Sequence, residues 1–368
     1  MTSRPPFRAD MVGSLLRPAE LTEARAAFAA NTIAAAELRG MEDRCIREAV
    51  RKEEDIGLKA VTDGEFRRSW WHFDFLAGLE GVELVVGEKS IQFQGVQTRS
   101  ESIAIPGKVG FGGHPMLDHF RFLQEVATVT PKITIPSPSV LHFRGGRGAI
   151  SREVYPDLEA FFDDTAEAYR KALRAFYDAG CRYLQFDDTV WAYLCSEKER
   201  EATRQRGDDP DPLPEKYAVM INRALSDKPE DMVVTTHICR GNFRSTWISE
   251  GGYEPVAEIL LGGTAYDGYF LEYDTERAGG FEPLRFLPKG PKRVVIGLVT
   301  SKFGELEAKD DVKRRIDEAA KYVDLDQMCL SPQCGFASTE EGNLLEPGEQ
   351  WKKLALIVEI ATEIWGEV

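Results

Sequence analysis

The chain has 368 residues, 43% hydrophobic and 29% charged, with a formal net charge of −15 and a pI near 5.0. That surplus of acid argues against a nucleic-acid groove or an anionic membrane surface as the main partner, so a small molecule is the expected ligand. No apolar run reaches the ~20 residues that span a bilayer, and the start MTSRPPFRAD has no signal-peptide core, so a cytoplasmic protein is expected.

Six cysteines (Cys45, Cys181, Cys195, Cys239, Cys329, Cys334) are too scattered for a disulfide framework, so they are expected as reduced thiols, some of them free to bind metal.

In chain order, short Val-, Ile- and aromatic-rich runs alternate with helical stretches. The first predicted strand, Asp10–Gly13, runs into Ser14. After a helix over Ala34–Ile56, a second strand at Lys59–Thr62 ends in Asp63-Gly64-Glu65. A long insertion over residues 81–131 follows, where VELVV, SIQFQG and ESIAIPG read as hairpin strands ahead of a helix at Pro115–Val126.

The third strand is Lys132–Ile135, and Arg144–Gly148 reads as a loop. A helix over Asp157–Ala179, stopped by Gly180, leads to the fourth strand, Tyr183–Phe186, which ends in Asp187 and Asp188. Another loop at Gly207–Pro214 and a helix at Leu213–Ala224 precede the fifth strand, Met232–Thr236, which ends in His237 and Cys239. Tyr269–Leu271 runs into Glu272, Val294–Leu298 is the seventh strand, and Gln327–Leu330 leads to Cys334. Helices at Lys309–Tyr322 and Glu349–Ile364 complete the pattern.

Eight such βα units predict an α/β fold of the (β/α)8 TIM-barrel type, one domain over residues 1–368, with the hairpin-rich insertion 81–131 after the second unit. An open doubly wound sheet is less favoured, because no glycine-rich phosphate loop follows the first strand.

Barrel chemistry sits where the strands finish. His-x-Cys at a strand end lets His237 and Cys239 reach one ion, and thiolate with imidazole is a zinc-favouring mixture. Glu272 and Cys334 complete a four-ligand set. Each has a plainer reading alone: a satisfied histidine for His237, a small buried hydrophobe for Cys334, a salt bridge to Arg277 for Glu272. Cys329 is assigned to the core, and Cys45, Cys181 and Cys195 to packing.

Glu65 and Asp187 are the candidate catalytic and substrate-holding acids, able to meet an ammonium group; pairing with Arg67 and Arg68 is the alternative, and Asp188 could equally be the pocket residue. The cluster Trp70-Trp71-His72-Phe73 and the insertion are expected either to wall the site or to pack on the barrel rim.

These residues, in this order, resemble the catalytic barrel of cobalamin-independent methionine synthase, in particular its short single-barrel relatives. The matching pieces are MVGSLLRP (Met11–Pro18), VTDGEFRR (Val61–Arg68), LQFDD (Leu184–Asp188), THICRGNF (Thr236–Phe243), FLE (Phe270–Glu272) and SPQCG (Ser331–Gly335). The resemblance implies Zn2+ held by His237, Cys239, Glu272 and Cys334, with a substrate thiol activated as thiolate. It also implies that Glu65 and Asp187 hold the amino group of homocysteine, and that Ser14 lies against its carboxylate.

Two departures shape the expectation. The length leaves no room for the second barrel that helps the long synthases bind folate, and the family's histidine proton donor after strand seven is absent from GLVTSKFGELE (Gly297–Glu307). Lys302, Tyr266 and His142 are alternative proton donors, each expected more readily as a surface or packing residue.

The leading expectation is zinc-dependent methyl or alkyl transfer to homocysteine. Alternatives are addition of another thiol to an epoxide, a non-catalytic metal-binding barrel, and a decarboxylase, which the acid and sulfur ligands argue against. The alkyl donor, the natural thiol, the proton donor and any homo-oligomer stay open.

Overall fold

The computed structural model describes residues 4–86, 92–93, 96–97, 101–242 and 247–368. Its centre is a curled parallel sheet of seven strands: Ala60–Val61, Thr130–Pro136, Tyr183–Asp188, Val233–Ile238, Gly268–Glu272, Arg293–Val299 and Met328–Pro332. They stand side by side in chain order, each pair parallel. The inner five bury almost every residue on both faces, polar ones such as Lys132, Gln185, Thr235 and Thr236 included.

The strand expected at Asp10–Gly13 does not form. The Asp10 carboxylate accepts the backbone N–H groups of Phe7 (3.0 Å) and Met11 (2.8 Å), bending the chain locally instead of letting it run straight. Only a single bridge, Ala9 to Leu330, remains. The segment nevertheless lies between the two sheet edges: Asp10 N–H donates to Leu330 O (3.0 Å), and Leu15 N–H donates to Gly64 O (3.1 Å). Asp10 also receives the buried Lys132 ammonium at 3.2 Å and the Tyr183 hydroxyl at 2.9 Å, so both charges of the pair are satisfied inside the sheet.

Helices cover the outside. Leu158–Asp178 starts where Asp157 accepts the N–H groups of Glu159 and Ala160, and it buries one face that includes Phe161, Tyr169, Leu173 and Phe176. It stops at Gly180, whose φ of 100° suits a residue without Cβ. A helix at Ala19–Ala29 was absent from the sequence reading, and Arg144, expected in a loop, ends a short helix at Pro138–Gly145.

Within the insertion, Glu83–Val86 pairs antiparallel with Glu101–Ala104, and Gln92–Phe93 with Val96–Gln97; a helix follows at Met116–Val126. Ser90, Ile91, Gln94 and Gly95 of the expected SIQFQG strand lie outside the described residues. Among the described residues, no helix is long and apolar enough to cross a membrane.

Candidate active site

The strand ends on one rim bring four donor atoms together. His237 sits near the end of its strand, in register with Asp187 on one side and Phe270 on the other. Cys239 follows, its N–H donating to Asp188 O at 2.7 Å. Glu272 ends the next strand and accepts the Arg240 N–H at 2.9 Å, which leaves Arg277 to pair with Asp274 at 3.3 Å. Cys334 comes just after the last strand, where Gln333 N–H donates to Val299 O at 2.8 Å.

One donor atom from each of His237, Cys239, Glu272 and Cys334 lies within 4.8 Å of the other three, and all four residues are buried. The two sulfurs are 3.5 Å apart. That is far beyond a disulfide bond, and close to the edge of about 3.8 Å in a tetrahedron with 2.3 Å metal–sulfur bonds. Neither imidazole nitrogen of His237 has a hydrogen-bond partner among the described residues. A buried, unpartnered imidazole beside two thiols and a carboxylate fits a zinc-type ion.

The charges within the cluster respond to one another. Burial opposes a proton on His237, yet Cys334, Asp187 and Glu272 together hold its pKa above the ordinary value. The hydrogen bond between Cys239 and Cys334 holds the Cys334 thiol well below its usual pKa against burial, and His237 and Lys302 add to the effect.

Glu65 reaches the site from a tight turn. Gly64 and Glu65 have φ of 63° and 58°, and Asp63 Oδ1 accepts the Glu65 N–H at 2.8 Å. A left-handed glutamate is a strained choice that functional sites keep. Its Oε2 pairs with Arg68, which also donates to Ser338 O at 2.7 Å. Arg67 turns away to Glu42 at 2.9 Å, so the arginine pairing weighed for Glu65 is met by Arg68 alone.

Asp187 accepts a hydrogen bond from Gln185 Nε2 at 2.7 Å, the same amide that donates to Val12 O at 2.8 Å. Burial pushes its pKa up to about 7, helped by the charge of Glu65 and opposed by His237. Ser14 Oγ accepts the Ala337 N–H at 3.2 Å; a Cβ on Gly335 would fall 2.0 Å from that oxygen, so glycine permits the approach.

Asp188 corrects the sequence reading. Its carboxylate accepts Ser139 Oγ and the Val190 N–H (2.7 Å), it is fully buried, and it does not line the cavity. It fixes the start of the following helix.

A single cavity joins Ser14, Glu65, Asp187, His237, Cys239 and Cys334. Trp70 and Trp71 form part of its wall, whereas His72 is buried with ring centroids 4.4 Å from Trp71 and 3.9 Å from Phe73. None of Lys302, Tyr266 and His142 lines it. Lys302 packs against Asp274 at 3.4 Å, the His142 ring contacts the Tyr217 hydroxyl at 2.7 Å, and Tyr266 stacks edge-on with Phe186.

Arg144, Tyr193 and Asn242 line the cavity and were not foreseen. The glycines around Arg144 disguised a helix end, and a buried tyrosine or asparagine leaves no periodic signal. Phe243 of THICRGNF lies outside the described residues.

Over residues 7–362 the chain matches the family described as the cobalamin-independent synthase catalytic domain. It is 54% identical to the uncharacterized protein YxjH of Bacillus subtilis, covering 98% of this chain and 95% of the relative. It is 24% identical to the methionine synthase of Pyrococcus abyssi, over 78% of this chain and 73% of the relative. Among solved structures it superposes, with a TM-score of 0.81 and 46% identity over 100% of both chains, on a candidate vitamin-B12-independent methionine synthase from Listeria monocytogenes.

Proposed function

Because the chain belongs to the family of cobalamin-independent synthase catalytic domains, we propose that it transfers a methyl group to a thiol, with homocysteine the leading acceptor. The observation that carries this reading is the buried cluster of His237, Cys239, Glu272 and Cys334 at a cavity wall. Its relation to methionine synthases supports the choice of thiol. We read the fold as one closed (β/α)8 barrel over residues 1–368, with residues 8–10 in the place of the eighth strand and residues 81–131 as an insertion.

In this reading the four side chains hold Zn2+, and Zn2+, when bound, supplies the electrostatic pull that keeps a thiol deprotonated yet nucleophilic near neutral pH. The chain's own groups do the rest. Asp187 and the free oxygen of Glu65 receive the substrate ammonium, and Gln185 fixes the Asp187 carboxylate at the angle it needs. Ser14 and the adjoining backbone lie against the substrate carboxylate. Trp70 and Trp71 exclude water from the reacting pair, which favours an in-line approach of thiolate and methyl group.

The ion pair between Glu65 and Arg68 favours a second reading. With half the ammonium site already neutralised, a thiol without an amino group could be the acceptor, adding to an epoxide or another small electrophile. A competition experiment separates the two. Zinc-loaded protein is titrated with homocysteine, then with 4-mercaptobutanoate, which is homocysteine without its amino group. Homocysteine binding about tenfold or more tighter, with proton release, supports the first reading. Equal affinities would move the assignment to the second, and binding of neither would remove both.

A further inference from the structure

We propose that Arg144 and Tyr193 form an anion-binding subsite in the active cavity, which takes a carboxylate or phosphoryl group on the second substrate, the alkyl donor. The role of donor rests on the reading above; the anion site itself does not.

Arg144 ends the short helix Pro138–Gly145, and its guanidinium carbon lies 5.5 Å from the Trp71 ring centre and 5.8 Å from that of Tyr193. Both rings lie within cation–π range of the guanidinium, an interaction that consumes none of its N–H donors, so these stay available to take a planar or tetrahedral oxyanion. All three residues line the active cavity.

Its polar groups are underused. Among the described residues, no carboxylate lies within ion-pair distance of Arg144. Nη2 has only a long 3.4 Å contact with Thr189 Oγ1, and the buried Nε has no partner. The Tyr193 hydroxyl, buried on the same wall, has only Thr189 near it as a partner and makes no well-formed hydrogen bond. Asp188, the acid nearest in sequence to Thr189, is committed to Ser139 and Val190. Buried donors without acceptors cost free energy unless a ligand supplies the acceptor, and here the missing acceptor is an anion.

The placement also separates the two substrates by charge. The thiol substrate's ammonium meets Asp187 and Glu65, whereas an acidic electrophile is drawn to Arg144, so each is disfavoured in the other's place. Aromatic surface from Trp71 and Tyr193 beside the cation suits a donor whose anionic group is joined to a flat or apolar body.

The test uses three probes built on one phenyl ring, on the full-length protein without thiol: benzoate, phenylphosphonate and the neutral benzamide, followed by saturation-transfer NMR. The subsite predicts that at least one anion binds about tenfold more tightly than benzamide, and that Arg144→Met brings it down to the benzamide level. Arg144→Lys should keep part of the preference, and replacement of the exposed Arg152 by Met should leave it intact. Preference for benzoate assigns a carboxylate donor and preference for phenylphosphonate a phosphoryl one.

Equal binding of all three probes to the wild type, or anion binding that survives Arg144→Met, would overturn the proposal. Because no thiol or zinc enters the measurement, an anion site found in a protein that binds neither would sink the methyl-transfer reading and leave the subsite standing.

Discussion

Glu53 shows what a single buried acid does to the pH response. It is fully buried in the helix Ala35–Ile56 and accepts hydrogen bonds at 3.3 Å from the Thr62 N–H and hydroxyl; burial pushes its pKa well above the ordinary carboxylate value. The folded chain therefore holds this proton more tightly than the unfolded chain. Its contribution to stability is fully present below the unfolded pKa and is lost as pH rises toward the folded one. Glu53→Gln keeps the acceptor and removes the ionisation, so the melting temperature should rise at pH 8 and stay nearly unchanged at pH 4; equal shifts at both would contradict this account. In the cavity, Glu65→Gln and Asp187→Asn should each weaken homocysteine binding about tenfold or more, since a charge-assisted hydrogen bond is worth about 1.5–3 kcal/mol, while zinc content stays unchanged. Calorimetric titration with parallel metal analysis checks both. The sequence disclosed these two acids because each follows a strand in a recognisable motif. It could not show that Arg68 takes half of Glu65, or which of Asp187 and Asp188 faces the cavity, because alternation sends the two to opposite faces without saying which face is which.

At the scale of elements, the long strands were legible because a parallel sheet buried on both faces demands uninterrupted apolar runs, as in Val294–Leu298. The segment Asp10–Gly13 carried a similar signal and failed as a strand, since Asp10 hydrogen-bonds its own backbone neighbours. A purely local competition of that kind has no periodic mark. Gly297 illustrates the converse, a requirement visible only in three dimensions. A Cβ there would lie 2.7 Å from Gln333 Cα and 3.0 Å from Pro332 O, both backbone atoms that cannot swing aside. Gly297→Ala should therefore destabilise the fold by about 1–3 kcal/mol, read as a lower urea midpoint. Because the displaced residue precedes Cys334, zinc should also dissociate faster from the variant than from the wild type. A stable variant with unaltered zinc release would show that the strand end adapts freely.

For the whole molecule, the succession of strand, polar end and helix pointed to a barrel-like α/β fold and to the family, and the match over residues 7–362 bears the family out. What the sequence could not supply were distances. His237, Cys239, Glu272 and Cys334 come from three separate strand ends, and a one-residue slip in any of them would have turned a donor away from the others. The geometry instead gathers them within 4.8 Å, with the His237 imidazole left unpartnered. The central claim, that this cluster holds the zinc on which thiol activation depends, is tested most directly by elemental analysis of purified wild type and Cys334→Ala after equilibration with zinc and removal of the excess. The account predicts about one zinc ion per chain in the wild type and a large loss in the variant, as expected when one of four ligands is removed. A wild-type protein that retains no zinc, or a Cys334→Ala variant that retains as much as the wild type, would contradict it.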